Sequence, residues 1–336
     1  MQPLVSFSIV TWNSMPYIQQ CLEHVRSQQG VLIEVIVADN GSEDGTLDYL
    51  RDQHDIRLIE IDFNSGFSAA HNQAISFSSG DYVLVINPDV FLSPAYTICL
   101  VEAMELDPRI GQVSGKLRRV STSNELGNSK IIDSTGLYFL RNQRHFDRGS
   151  GEVDFGQYNN MEYIFGVCGA AALYRRTALE DTALDNEYFD EDFFAYREDA
   201  DLSWRMQLLG WKAIYSPSAV AYHIRGMRSN DNRKDVSSIV NMHSVKNRFL
   251  MRIKNQSIQL FLRDIFPLVW RDLLVIGYVV FVEHSSFPAF TELIKLFPKT
   301  IRKRRQIMLK KSAKYLYISQ WFANKPVAFP IGDSQN

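Results

Sequence analysis

Short apolar, β-branched runs alternate with helical patterns through the first 110 residues. Val5–Thr11 is such a run, and it ends in the polar Trp12-Asn13-Ser14. Tyr17, Cys21 and Val25 then recur at helical spacing among Gln, Glu and Arg. Val31–Ala38 is nearly continuous apolar sequence, closed by Asp39-Asn40-Gly41-Ser42. Thr46–Gln53 reads as a helix, Ile56–Ile61 as a strand, Gly66–Ser78 as a helix and Tyr82–Ile86 as a strand. Strands that are apolar on both faces and separated by helices predict βαβ units around a mostly parallel sheet. The fold class is α/β.

In such sheets ligands bind beyond the carboxyl ends of the strands. The polar clusters Thr11-Trp12-Asn13, Asp39-Asn40-Gly41-Ser42, Asn64-Ser65-Gly66 and Asn87-Pro88-Asp89 all stand there. Each alone is ordinary turn chemistry. Four in succession predict one crevice.

After Asp107-Pro108 the pattern is less regular. Val113–Val120 and Ile131–Leu140 read as strands on either side of polar Ser121–Lys130, and Arg141–Gly156 reads as a mobile loop. The small residues Gly166–Ala172 permit a close backbone approach to packing or to a ligand. The acidic run Asp190–Asp201 leads into a helix expected to begin near Leu202, and Ala213–Tyr215 and Ala219–His223 read as closing strands. Beyond Asn230 the chain reads as helical and basic.

Composition narrows the class. Of 336 residues, 46% are hydrophobic and 22% charged, which excludes a disordered or low-complexity chain. Three widely spaced cysteines exclude a disulfide scaffold and fit a reducing compartment. There is no secretory signal pattern, and Ile265–Val282, the longest apolar stretch, is interrupted by Arg271-Asp272, so no membrane span is expected. Walker A, GxSxG and HExxH motifs are absent, and Gly149-Ser150-Gly151 lacks both the preceding strand and the third glycine of a dinucleotide site.

The ordered series from Ser6 to Ser229 resembles the family 2 glycosyltransferases, whose catalytic domain has the nucleotide-sugar-binding GT-A fold. Its carriers are Ser8–Asn13, Val37–Ser42, Asn64–Ser68 with His71-Asn72, Leu84–Asp89 and Phe194–Arg205. Within the family the chain resembles bacterial rhamnosyltransferases. The resemblance implies a deoxythymidine- or uridine-diphosphate sugar as donor. Thr11, Trp12, Asn13, Asp39, Asn40, Ser42, Asn64, Gly66 and Asn87 would form the donor site, with Asp39 accepting the N3–H of uracil or thymine. Asp89 would ligate Mg²⁺ or Mn²⁺, hard cations that prefer oxygen. Many members carry Asp-x-Asp where this chain has Asn87-Pro88-Asp89, so a second ligand is needed, and His223 is the candidate. Asp199 matches the family's general base, with Glu198 as second choice, while Asp201 is expected to cap the following helix or orient Arg205.

The net charge of −2 hides a division. Val236–Asn336 holds 16 Lys/Arg against 5 Asp/Glu, which leaves the first 235 residues at −13. This predicts a catalytic domain over 1–235 and a basic helical region over 236–336. Lys299, Arg302, Lys303, Arg304, Arg305, Lys310, Lys311 and Lys314 lie close to apolar Phe287, Phe290, Leu293, Leu296 and Phe297. The favoured reading lays these helices on an anionic membrane leaflet, and the alternative docks them on the acidic half of the protein. Nucleic acid is not expected, since no reading motif accompanies the charge.

These features predict a metal-dependent, inverting glycosyltransferase, a rhamnosyltransferase by the resemblance. It would act on a glycan or lipid-linked glycan precursor of a cell-surface polysaccharide, at the cytoplasmic membrane face. Two alternatives stand: a nucleotidyltransferase, whose phosphate loop is missing after the first strand, and a non-catalytic carbohydrate-binding or scaffold protein of the same fold.

Overall fold

The computed structural model describes residues 2–122, 126–224 and 237–331. The boundary expected after residue 235, and the Arg225-Gly226 pair that follows His223, lie outside the described residues.

The first block alternates as predicted: β1 (Leu4–Thr11), α1 (Met15–Arg26), β2 (Leu32–Asn40), α2 (Thr46–Arg51), β3 (Arg57–Ile61), α3 (Phe67–Ser76) and β4 (Tyr82–Ile86). The chain continues through β5 (Val90–Leu92), α4 (Tyr96–Met104), β6 (Ile110–Val120), β7 (Ile132–Ser134), β8 (Leu137–Leu140), β9 (His145–Asp147), β10 (Glu162–Ile164) and β11 (Ala171–Arg175). It then forms α5 (Arg176–Thr182), α6 (Glu198–Leu208) and β12 (Lys212–Ile224). Last come α7 (Ser238–Asn255), α8 (Ile258–Arg263), α9 (Ile265–Phe281), α10 (Pro288–Lys310), α11 (Tyr315–Gln320), β13 (Phe322–Ala323) and β14 (Phe329–Pro330).

The main sheet runs β14-β10-β12-β6-β11-β4-β1-β2-β3. Its β4-β1-β2-β3 half is wholly parallel, and β12 is parallel to β6. Antiparallel β11 joins the two blocks. Helices cover both faces of the parallel half, so β4 is buried along its whole length and β1 nearly so. The parallel direction puts the carboxyl ends of β1, β2, β3 and β4 on one edge.

Three sequence expectations need correction. Ile131–Leu140 is two strands, β7 and β8, separated by a turn at Thr135-Gly136. The closing pair is one strand, β12, with a register shift between Ser216 and Val220. Arg141–Gly156 is not a free loop. It contains β9, and its charged residues turn inward: buried Arg148 donates to Thr135 (2.9 Å) and Glu162 (2.7 Å), and Asp154 pairs with Lys116 at 2.9 Å. Charges that read as solvated are satisfied by each other.

The basic run in α10 is taken up the same way. Lys303 is fully buried and bonds Glu187 (2.7 Å), Asp190 (2.6 Å) and Asp192 (3.2 Å). Lys299 pairs with Asp192 at 2.8 Å, Arg302 with Asp185 at 2.7 Å, and Arg304 donates to the Ile253 carbonyl at 2.8 Å. Leu293, Leu296, Ile307 and Met308 pack into a core with Phe165, Trp204 and Trp321. Lys299, Arg302 and Lys303 thus dock on carboxylates between Asp185 and Asp192 and are not displayed toward lipid, while Arg304 is held by a carbonyl of α7. Among the described residues no single helix is long and apolar enough to cross a membrane.

Candidate active site

The polar edge at the carboxyl ends of the parallel strands is built by register. Thr11 and Asp39 are cross-strand partners on β1 and β2, and the Thr11 hydroxyl donates to Asp39 Oδ1 at 2.7 Å. Ser42 adds its hydroxyl to Oδ1 (2.7 Å) and its N–H to Oδ2 (2.9 Å). Asn13, at a positive φ of 51°, donates its N–H to Ser42 (2.9 Å) and accepts from the Glu43 N–H (2.8 Å). Trp12, between Thr11 and Asn13, is 56% exposed. Asn40 donates to Asn64 Oδ1 (3.0 Å) and accepts from the Ser65 N–H (2.8 Å). The structure thus brings Thr11, Asn13, Asp39, Asn40, Ser42 and Asn64 into two adjoining hydrogen-bonded clusters.

Gly66 ties this edge to the acidic segment. Its φ is +89°, and a Cβ there would lie 2.5 Å from the Phe194 ring and 2.7 Å from the Phe194 carbonyl oxygen. That same carbonyl accepts the Ser68 N–H at 3.2 Å. Only glycine permits this contact. Phe194 itself has a positive φ of 64°.

Beyond β4, the Asn87 N–H is held by the Ala170 carbonyl at 2.9 Å. Asp89 Oδ1 is buried and has no hydrogen-bond partner. His223 Nε2 lies 3.5 Å from it, while His223 Nδ1 is 2.8 Å from Asp133. Pairing of β12 with β5 places the histidine, since His223 is opposite Val90. Burial lowers the imidazole pKa, but the hydrogen bond to Asp133 and the negative charges of Asp89 and Asp133 outweigh it and hold it up at about 9. This is the arrangement in which one carboxylate fixes a histidine's tautomer and aims its other nitrogen at a cation. A bare carboxylate oxygen facing that nitrogen fits a hard divalent ion. Among the described residues no third His, Cys, Asp or Glu completes a cluster. Sequence reasoning missed Asp133, whose signal is a lone carboxylate inside the apolar run Ile131–Leu140.

The acidic segment divides by environment. α6 begins at Glu198, not near Leu202, because Arg197 takes a left-handed conformation (φ 77°) and starts the helix there. Glu198, Asp199 and Asp201 therefore lie in its first turn, where unpaired N–H groups favour negative charge. Asp199 accepts from the Gly169 N–H (3.0 Å) and the Ala200 N–H (2.7 Å). The close approach expected of Gly166–Ala172 is made here, by the Gly169 backbone. Burial, with Asp147 nearby, outweighs those amides and pushes the Asp199 carboxyl up to about 6. Burial and the adjacent Asp199 raise Glu198 well above the usual carboxylate range, and its Oε2 has no partner. Asp201 is different: it pairs with Arg205 (3.1 Å) and Lys254 (2.8 Å) and accepts from Asn255 (2.7 Å). Orienting Arg205 was one of its two expected roles.

The model of the family described as "Glycosyl transferase family 2" matches residues 6–182, more than half of the chain. This chain belongs to glycosyl transferase family 2. Curated relatives include the poly-β-1,6-N-acetyl-D-glucosamine synthase of Staphylococcus epidermidis, 24% identical over 221 residues, or 65% of this chain and 49% of that protein. A synthase of the same name from Staphylococcus aureus matches over the same length at the same identity. The chain spans about half the length of these relatives. Among solved structures, the mannosyltransferase PcManGT from Pyrobaculum calidifontis, in complex with GDP-Man and Mn²⁺, matches 96% of this chain and 88% of its own (16% identity, TM-score 0.51). S. aureus TarS 1–349 in complex with UDP-GlcNAc matches 94% and 90% (16% identity, TM-score 0.53). The family's GT-A fold is that of this chain, and its C-terminal region is helical.

Proposed function

We propose that this chain is an inverting, metal-dependent glycosyltransferase that moves a sugar from a uridine- or deoxythymidine-diphosphate donor to a hydroxyl of a cell-surface polysaccharide precursor. The observation that carries this reading is Asp199. It is a half-buried carboxyl held by two backbone amides, without a Lys or Arg partner among the described residues, on a segment that the Phe194–Gly66 contact joins to the polar edge of the sheet. A pKa near the working pH suits a general base. Asp199 takes the proton of the acceptor hydroxyl as that oxygen attacks the anomeric carbon from the face opposite the leaving diphosphate. Burial and the neighbouring Asp199 disfavour the charged form of Glu198, which opposes a second charge beside the base.

At the donor end, a carboxylate has about four lone-pair sites. Thr11 and Ser42 use both on Asp39 Oδ1, and the Ser42 N–H uses one on Oδ2. One site on Oδ2 remains for the N3–H of a pyrimidine base, with Trp12 beside it as a stacking face. Asp89 and His223 would hold the divalent cation, which when bound stabilises charge on the departing diphosphate. The Mn²⁺ complex of the structural neighbour PcManGT supports this. Rhamnose as the transferred sugar rests on the resemblance to bacterial rhamnosyltransferases. Relatives named as polysaccharide synthases support a surface-glycan acceptor, placed here at the cytoplasmic membrane face.

A thermal-shift and hydrolysis screen with and without Mn²⁺ tests the proposal, using dTDP-rhamnose, UDP-N-acetylglucosamine and GDP-mannose. Stabilisation and turnover with a uridine or thymidine donor are expected. A response to none of the three, or to GDP-mannose alone, overturns the pyrimidine assignment.

A further inference from the structure

Three of the four residues from Phe194 to Arg197 adopt positive φ, and none is glycine: Phe194 at 64°, Tyr196 at 70° and Arg197 at 77°. Phe194 has a ψ of −70°, and across it the Ala195 N–H donates to the Phe193 carbonyl at 2.8 Å. That is the rare, strained form of the γ-turn. Side chains disfavour such backbone, so it persists only where its surroundings over-determine it. Here one amide is central. Asn247 of α7 is fully buried, and its Nδ2 lies 2.9 Å from the Phe193 carbonyl oxygen, 2.9 Å from that of Ala195 and 2.8 Å from that of Tyr196. Two N–H groups are thus shared among three acceptors. Its Oδ1 has no hydrogen-bond partner, so the side chain serves the turn. The same stretch of α7 adds three contacts. The His243 ring stacks on Phe194 with centroids 4.8 Å apart, the Ser244 carbonyl accepts from Arg197 Nε at 3.2 Å, and Lys246 donates to the Asp192 carbonyl at 2.6 Å.

The two ends of the turn act on different parts of the site. At one end the Phe194 carbonyl accepts the Ser68 N–H, and its ring lies against Gly66. At the other, the Arg197 carbonyl accepts the Asp201 N–H at 2.8 Å, the first bond of α6, whose opening turn carries Asp199. The clusters around Asp39 and Asn40 are held by their own hydrogen bonds, whereas the start of α6 depends on the turn. We propose that Asn247 is a positioning residue for the transfer: by clamping Phe194–Arg197 it sets where Asp199 stands relative to the polar edge at the strand ends. This rests on the transferase reading with Asp199 as its base, and it gives the basic C-terminal region a part in the active site.

Asn255 supplies a matched control. It too is a fully buried asparagine of α7 with an unpartnered Oδ1, but its amide donates to Asp201 Oδ1, at 2.7 Å, instead of to the turn. Asn247→Leu and Asn255→Leu each remove one buried amide, and both should lower the melting temperature. Donor hydrolysis is compared per folded molecule, together with amide exchange over Phe193–Asp199. Asn247→Leu should lower kcat by about 10²-fold, the usual effect of a misplaced group, with donor KM nearly unchanged. Exchange over that segment should speed up in this variant while the core strands stay protected. Asn255→Leu should keep the wild-type kcat. If Asn247→Leu does not fold, Asn247→Ser retains one donor and should still lower kcat by about tenfold. Four results overturn the role: kcat unchanged in an Asn247 variant that folds; exchange unaltered over the segment; the same loss of kcat in Asn255→Leu, which marks a general softening of α7; or a raised donor KM at unchanged kcat, which ties the turn to donor binding. An active wild type with an equally active Asn247→Leu condemns the positioning role alone. A wild type inactive on every sugar nucleotide condemns the transferase reading itself.

Discussion

Two sets of buried carboxylates lie within the single stretch Asp190–Asp201, and their surroundings are opposite. At one end Asp190 is clasped by Lys254 and Lys303, which outweigh its burial and hold its pKa far below the usual carboxylate range. Asp201 shares Lys254 and adds Arg205. Between them, Glu198 is buried and Asp199 half-buried, with backbone amides at most as partners, and both are raised. The difference teaches what acidity alone does not: a buried carboxylate matched by a cation is structure, and one left unmatched is available for proton transfer. The basic tail supplies the matching. Lys254 and Lys303 come from α7 and α10, so part of the charge division along the chain is an internal complementarity.

The contrast can be broken most forcefully at Asp199. Asp199→Asn should lower kcat by about 10²- to 10⁴-fold with donor affinity and melting temperature nearly unchanged. Lost donor binding with little change in chemistry would move the residue to the donor site. The matched set should respond in the opposite currency. Lys303→Met leaves Asp190 and Asp192 short of a buried partner and should destabilise the fold by about 3–5 kcal/mol in denaturant titrations, with kcat per folded molecule preserved. Stability unchanged by this substitution would mean that the cluster contributes nothing.

A third variant probes the other carboxylate pairing. Asp133→Asn removes the group that orients His223, and should weaken Mn²⁺-dependent donor stabilisation by about 10- to 100-fold without altering the pH limb of kcat. Full activity in excess chelator would remove the metal from the site altogether. The smallest effect expected is that of pH. Asp199 must be ionised to act, so kcat should fall about tenfold for each unit below pH 6, the value to which burial raises it. Stability follows other signs. The folded pKa of Asp190 is depressed, so its contribution is present above its unfolded pKa of about 3.9 and is lost as pH falls further. Asp199, raised, contributes fully below about pH 4 and loses that contribution as pH rises through about 6. Activity that disappears between pH 6 and 5 in a protein that stays folded would sharpen the distinction.

The polar edge at the strand ends was legible because it is local. Each cluster follows its strand directly, and parallel register does the assembling, as Thr11 opposite Asp39 shows. Asp199 and Glu198 were legible as a motif, although the helix start was misplaced because the left-handed Arg197 leaves no compositional trace. Asp133 and the Lys303 cluster were not legible. Their partners lie 90 and 113 residues away, and no spacing rule reaches that far. The charge count did register the tail's excess, but the sign of a region does not say whether its cations face lipid or bury themselves, as Lys303 does. Likewise, the inward turn of Arg148 and Asp154 depends on neighbours from β6 and β10, so their segment read as loose.

The outermost strand of the main sheet, β14, is made of Phe329 and Pro330, and it pairs with β10. A ribosome thus finishes the parallel half of the sheet well before its far border. Until then β10 presents an open strand edge, the kind of surface that recruits stray chains. The order of synthesis therefore sets a window of vulnerability for this protein, one that closes only when Phe329 and Pro330 have emerged.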